Sequence, residues 1–175
     1  CWQVKSLEII EFGYEKAQEG VNGAKSEYCV NKHKASMSRL YKAALREATS
    51  LIVKLSTGGS VHDPLPARLA VLEAAPDSCS LTCGTVNFGD EVFFHDTALM
   101  SEFYQRMQKK GVRPEFEIFE AGQMDNALKL VKKLGPAGPL LHWDFVLGVP
   151  GSMSGEPRNL VFLVDWNNFG IDDHP

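Results

Sequence analysis

Four short stretches of this chain place proton-carrying and anion-binding groups at every second position. Lys54 and Ser56, Ser80 and Thr82, Glu115 and Glu117, and His142 and Asp144 form the polar sets. The intervening positions are apolar: Leu51, Val53 and Leu55; Cys79, Leu81 and Cys83; Phe116 and Ile118; Trp143, Phe145 and Leu147. A β-strand sends successive side chains to opposite faces, so each polar set lies on one side. An ammonium, carboxylates, an imidazole and hydroxyls on one surface could handle protons and bind a polar ligand. A glutamate inside a strand is costly to bury unless paired. Lys54 shares the face of Glu117, so a structural ion pair between them stands beside a substrate-facing role. His142 and Asp144 could act as an acid/base couple, although a hydrogen-bonded layer explains them as well.

Helical patterns lie between these stretches. Ser6 is a candidate N-cap for a first helix that stops at Gly20, and Ser38–Ala48 has an apolar face of Leu40, Ala44, Leu45 and Ala48. Further helices are expected at Ala67–Ala74, Thr97–Lys110, Met124–Leu134 and Glu156–Trp166, and a short strand at Ser26–Asn31. Lys109-Lys110-Gly111 and Lys132-Lys133 with Gly135 place cations and a glycine where a helix C-terminus favours them. The tail from Asn167 lacks periodicity and reads as frayed. Strands alternating with helices indicate a parallel sheet covered on both faces. A polar face in such a sheet is best explained by a ligand site at the strand ends. Five βα units are too few to close an eight-stranded barrel, so the expectation is an open α/β fold or a partial barrel in a single domain over residues 1–175.

The 175 residues could bury roughly 70% of their unfolded surface. A formal charge of −4 gives no electrostatic case for nucleic acid or an anionic membrane. Leu140–Val149, an apolar run, is broken by His142 and Asp144 and cannot span a bilayer. No basic region followed by an apolar run marks a signal peptide, and the cysteines read as small buried thiols, so a reducing cytoplasm is expected.

Glycine-bearing turns follow three strands: Ser56-Thr57-Gly58-Gly59-Ser60, Thr85-Val86-Asn87-Phe88-Gly89 and Val146-Leu147-Gly148-Val149-Pro150-Gly151. Such turns let backbone N–H groups approach an anion. None is a Walker loop or a dinucleotide fingerprint. With Leu81-Thr82-Cys83-Gly84 and Pro114-Glu115-Phe116-Glu117-Ile118-Phe119-Glu120-Ala121-Gly122, they resemble the β-keto acid cleavage enzymes from about Lys54 to Trp166. The resemblance implies a zinc-dependent TIM barrel with acyltransferase chemistry, typified by the 3-keto-5-aminohexanoate cleavage enzyme of lysine fermentation. Such enzymes convert a β-keto acid and acetyl-CoA into acetoacetate and a new CoA thioester. It further implies that Ser56 and Gly59 hold the substrate carboxylate, that Ser80 and Thr82 line the next strand, and that Glu117 is the inward catalytic acid.

The resemblance is incomplete. Where the family carries a zinc-binding His-x-His pair, this chain has Glu27 and Cys29, so no metal ligand is assigned. The family's first strand would precede Cys1, and its last two units, with a glutamate zinc ligand and an acid/base aspartate, would follow Trp166. The expectation is therefore about five of eight barrel units without the full catalytic set, homo-oligomeric if the barrel is completed. Two other readings are a metal-free binding or assembly module and an open α/β protein that binds a small anion.

Overall fold

Alternation at Lys54–Leu55 (β1), Ser78–Thr82 (β2), Arg113–Ile118 (β5) and His142–Phe145 (β6) produces a four-stranded parallel sheet in the order β1-β2-β5-β6. The computed structural model describes residues 52–172, with side chains through Trp166. Leu51, the strand expected at Ser26–Asn31, the helices expected after Ser6 and over Ser38–Ala48, and both Glu27 and Cys29 lie outside those residues. The strands follow one another across the sheet in chain order, without the reversal that defines a doubly wound fold. This progression is consistent with part of a barrel.

Helices cover the apolar face. These are α1 (Leu65–Leu69, continued by a 3-10 turn over Ala70–Ala74), α2 (Thr97–Lys110), α3 (Ala121–Leu134) and α4 (Pro157–Asp172). Cys79, Leu81, Phe116 and Ile118 are completely buried, packed with Phe103, Tyr104 and Met107 of α2, Met124 and Ala127 of α3, and Leu163 of α4. Tyr104 also satisfies its hydroxyl, donating to the Gly135 carbonyl at 2.8 Å. The Asp96 side chain caps α2 by accepting from the Leu99 N–H at 2.8 Å, and Gly111 ends it in the left-handed region.

The structure moves several boundaries. Helix α3 begins at Ala121, three residues before the expected Met124, because the Glu120 carboxylate caps it through the Gly122 N–H. Helix α4 runs to Asp172 instead of ending at Trp166 in a frayed tail. Asn167, Asn168 and Gly170 are poor helix formers, but each costs at most about 1 kcal/mol and none stops the helix as proline would.

The segment after β2 is a hairpin rather than a plain loop. Val86–Phe88 (β3) pairs antiparallel with Glu91–Phe93 (β4) across a Gly89-Asp90 turn, with Gly89 at φ 67°. It docks on the loop after β6, where the Gly89 N–H donates to the Pro150 carbonyl at 2.8 Å. Gly151, at φ 87°, lies so near the hairpin that an added Cβ would sit 2.8 Å from Asn87 Cβ. Gly111 has a similar φ of 67° but open space around it. Gly111→Ala should therefore cost about 1 kcal/mol of backbone strain, and Gly151→Ala clearly more. Urea denaturation will measure the difference, and Asn87→Gly in the same chain should recover the excess.

Candidate active site

The register aligns the polar side chains in rows. Lys54 lies beside Ser78, Ser80 beside Glu115 and then His142, and Thr82 beside Glu117 and then Asp144. Lys54 extends along the face to form an ion pair with Glu115 and comes within 3.8 Å of Asp144 Oδ2. His142 Nδ1 stands 3.4 Å from the other Glu115 oxygen. Glu115 is only 6% exposed, so it requires this charge compensation. The expected Lys54–Glu117 pair is thus replaced by a pair with Glu115, one row further back. His142 and Asp144 belong to the network around that pair.

Glu117 lies nearer the strand ends and is half-buried. Its Oε2 accepts from Thr82 Oγ1 at 2.8 Å. Burial pushes its pKa above the ordinary carboxylate value, and Asp144 adds to this shift. Hydrogen bonding from Thr82 and the charge of Lys54 act in the opposite direction. Glu117 therefore keeps its proton to higher pH than an ordinary carboxyl, with burial as the main cause.

The turn after β1 is fixed by β2. Ser80, fully buried, accepts from the Thr57 N–H at 3.1 Å, while Thr57 Oγ1 donates to the Ser80 carbonyl at 2.7 Å. Ser56 and Gly59 are exposed on this turn, and Gly59 has φ 70°. Ser56 Oγ accepts from the Gly58 N–H at 3.1 Å and lies 3.5 Å from Ser80 Oγ. Of the residues singled out in the sequence, Ser56, Gly59 and Glu117 reach the strand-end rim, while Ser80 and Thr82 (2% exposed) lie beneath it as their supports. His62 pairs with Glu91 of the hairpin at 2.7 Å, linking this turn to the next loop.

Two polar residues that the sequence patterns did not single out sit under the rim. Arg68, 7% exposed, donates through Nε to the Thr57 carbonyl at 3.2 Å and through Nη1 to the Phe94 carbonyl at 3.3 Å. Its guanidinium lies over Phe93 and Phe103, 4.3 and 5.1 Å from the ring centres. Arg68 Nη2 is 3.4 Å from Nδ1 of the fully buried His95. Arginine only donates, so Nδ1 must accept and the imidazole proton sits on Nε2. Burial, and then the Arg68 charge, lower the His95 pKa to about 4.

Among the described residues, no group of three His, Cys, Asp or Glu side chains could hold a metal ion. His95 is turned to Arg68 and Glu115 to Lys54, so these residues do not fit zinc by themselves.

The arrangement is that of a parallel βα protein with a polar face leading to glycine-rich turns at its strand ends. A family model, beta-keto acid cleavage enzyme, matches residues 27–172. The chain belongs to the β-keto acid cleavage enzyme family. It is 42% identical over 123 residues to the 3-keto-5-aminohexanoate cleavage enzyme of Acetoanaerobium sticklandii, covering 69% of this chain and 45% of the relative. The enzyme of the same name from Fusobacterium nucleatum is 36% identical over 140 residues, covering 75% and 50%. The 3-oxoadipate:acetyl-CoA acetyltransferase of Cupriavidus necator is 28% identical over 127 residues, covering 73% and 44%. The chain thus spans about half the length of the curated relatives it matches.

The depressed His95 pKa has a signed consequence for stability. Between about pH 6.5 and the folded value of about 4, the unfolded chain takes up a proton that the folded chain refuses. The contribution is complete above the unfolded value and is lost as pH falls through this window, amounting to about 3 kcal/mol in all. Glu117, whose pKa is raised, works in the opposite direction, its contribution lost as pH rises. Comparing chemical denaturation of wild type and His95→Asn at pH 7.5 and 4.5 isolates the histidine term. The variant keeps an acceptor for Arg68 and should lose less stability on acidification.

Proposed function

We propose that this chain forms about half of the active site of a β-keto acid cleavage enzyme that exchanges acyl groups between a β-keto acid and acetyl-CoA. The juxtaposition of Glu117 with the Ser56–Gly59 turn at one end of the parallel sheet carries this reading. The names of the relatives, with their keto acids and acetyl-CoA, point to the same chemistry.

The carboxymethylene unit of the keto acid leaves one acyl group and joins another. Its methylene gives up a proton, and the resulting carbanion bonds to the acetyl carbonyl as the CoA thiolate leaves. The thiolate then adds to the original ketone carbon, the old carbon–carbon bond breaks to give a new acyl-CoA, and the departing acetoacetate carbanion takes back the proton removed in the first step. In this reading the Ser56 hydroxyl, fixed by the Gly58 N–H, and the Gly59 N–H hold the substrate carboxylate. Ser80 and Thr82 set the turn and the Glu117 carboxyl in place, and Glu117 takes part in proton transfer beside the reacting carbon. Its raised pKa suits this role, since a catalytic carboxyl works best when its pKa is brought towards the working pH.

The rest of the reading is a TIM barrel closed by further βα units, assembled as a homo-oligomer. Zinc would need donors beyond the described residues, with Glu27 and Cys29 as the candidates in this chain. Cys79 and Cys83 are buried free thiols, which suits a cytoplasmic protein of amino-acid catabolism such as lysine fermentation. No helix among the described residues is long and apolar enough to cross a membrane.

Purified protein given acetyl-CoA with 3-keto-5-aminohexanoate or 3-oxoadipate should form acetoacetate, followed by mass spectrometry. Glu117→Gln should lower kcat by about 100-fold or more, while Ser56→Ala should chiefly raise KM for the keto acid. The acid limb of the wild-type kcat/KM profile should lie above the ordinary carboxylate value of about 4.3, activity falling as Glu117 is protonated. Absence of both turnover and keto acid binding would overturn the assignment.

A further inference from the structure

Arg68 lies buried beneath the rim, where it holds the peptide that links Thr57 to Gly58. That peptide unit is constrained at both ends. Its carbonyl accepts from Arg68 Nε at 3.2 Å, and its N–H, belonging to Gly58, points to Ser56 Oγ at 3.1 Å. The preceding peptide is fixed separately, through the Thr57 N–H on Ser80 Oγ at 3.1 Å. Resting the Thr57–Gly58 peptide on a buried cation has two physical effects. It prevents the peptide from flipping, so the N–H stays on the side of the exposed turn. It also polarises the amide, because a cation at the carbonyl oxygen strengthens the donor at the other end.

The cation is anchored beyond this one bond. Phe93 and Phe103 flank it at 4.3 and 5.1 Å, the Phe94 carbonyl accepts from Nη1, and His95 Nδ1 faces Nη2. The guanidinium thereby joins the turn after β1 to the segment between the hairpin and α2. A lysine could supply the charge but could not reach the Thr57 carbonyl, the Phe94 carbonyl and the imidazole with one planar fork.

We propose that Arg68 is a positioning residue for carboxylate binding, holding the Thr57–Gly58 peptide so that its N–H fixes Ser56 Oγ and aims the Ser56 hydroxyl at the substrate. The proposal rests on the assignment of the Ser56–Gly59 turn as the carboxylate site. Charges around Arg68 agree with the picture: burial lowers its pKa, while Asp63 and the rim's Glu117 favour the charged form.

The test is a titration of 15N-labelled protein with acetoacetate, beside steady-state kinetics. In wild type the Gly58 and Gly59 amide resonances should move. Arg68→Met should bind acetoacetate at least about tenfold more weakly, the size expected when a charge-assisted hydrogen bond is removed. Its KM for the keto acid should rise while its KM for acetyl-CoA stays unchanged, a split that a general loss of stability would not produce. Arg68→Lys should recover only part of the affinity, and serves as the test variant should Arg68→Met fail to fold. A folded variant that binds acetoacetate as wild type does, with the same Gly58 response, overturns the role of Arg68 alone. If wild-type Gly58 and Gly59 do not respond, the carboxylate assignment itself fails, and the proposal with it.

Discussion

A carboxylate buried in the middle of a parallel sheet is the constraint around which this site is arranged. Glu115 is almost completely withdrawn from water on β5, where an unpaired charge would cost several kcal/mol. The ammonium of Lys54 crosses from β1 to meet it, with His142 on its other oxygen and Asp144 nearby. The pair ties together two strands that are not neighbours, because β2 lies between them. With Lys54 engaged one row below, Glu117 has Thr82 for its hydrogen bond and keeps a raised pKa. The raised pKa of Glu117 comes first from its burial, and Asp144 in the next row adds to it.

The rim is held by contacts between successive loops rather than by the sheet alone. The turn after β1 is fastened by Ser80 below and Arg68 behind, and His62 reaches Glu91 of the hairpin. The hairpin in turn donates to Pro150 in the loop after β6. Each contact is modest, with hydrogen bonds of this kind contributing about 1 kcal/mol net. Together they place three glycine-bearing segments over the same end of the strands. Glycine is required at Gly151 on steric grounds, since the hairpin passes too close for a side chain.

Much of this was legible in the sequence because strand parity is rigid. Once Leu55, Leu81, Phe116 and Trp143 are placed against the helices, Ser56, Ser80, Glu115 and His142 have to share the opposite face, and the register aligns the last three. Helix α2 was legible to the residue because Asp96 starts it and Gly111 stops it. Parity says nothing about depth along a strand, however, so it could not decide which of Glu115 and Glu117 would receive Lys54. The hairpin was missed because three-residue strands carry too little periodicity, although Gly89-Asp90 is a suitable two-residue turn. Arg68 left a fainter signal: it stands three residues after Leu65 and four before Leu72, on the buried stripe of its helix. A cation on an apolar stripe marks a buried polar contact, but only the fold reveals that the contact is the Thr57 carbonyl.

The charge balance of the site bears on how it can hold an anionic substrate. Glu115, Glu117 and Asp144 surround one lysine, and that lysine is already paired, so the strand face offers a second carboxylate little attraction. The favourable groups lie instead on the Ser56–Gly59 turn, whose backbone N–H groups carry no proton that titrates near neutral pH. Arg68 adds positive potential from behind the turn without exposing a cation that could form a competing salt bridge with the rim carboxylates. The two halves of the site can then act differently on one molecule. Under the proposed assignment, neutral dipoles backed by a buried cation hold the substrate's charge, while the acidic face alongside keeps a carboxyl for proton transfer. Moving Arg68 onto the rim would erase that division, because Glu117 would pair with it and lose the raised pKa on which its proposed role depends.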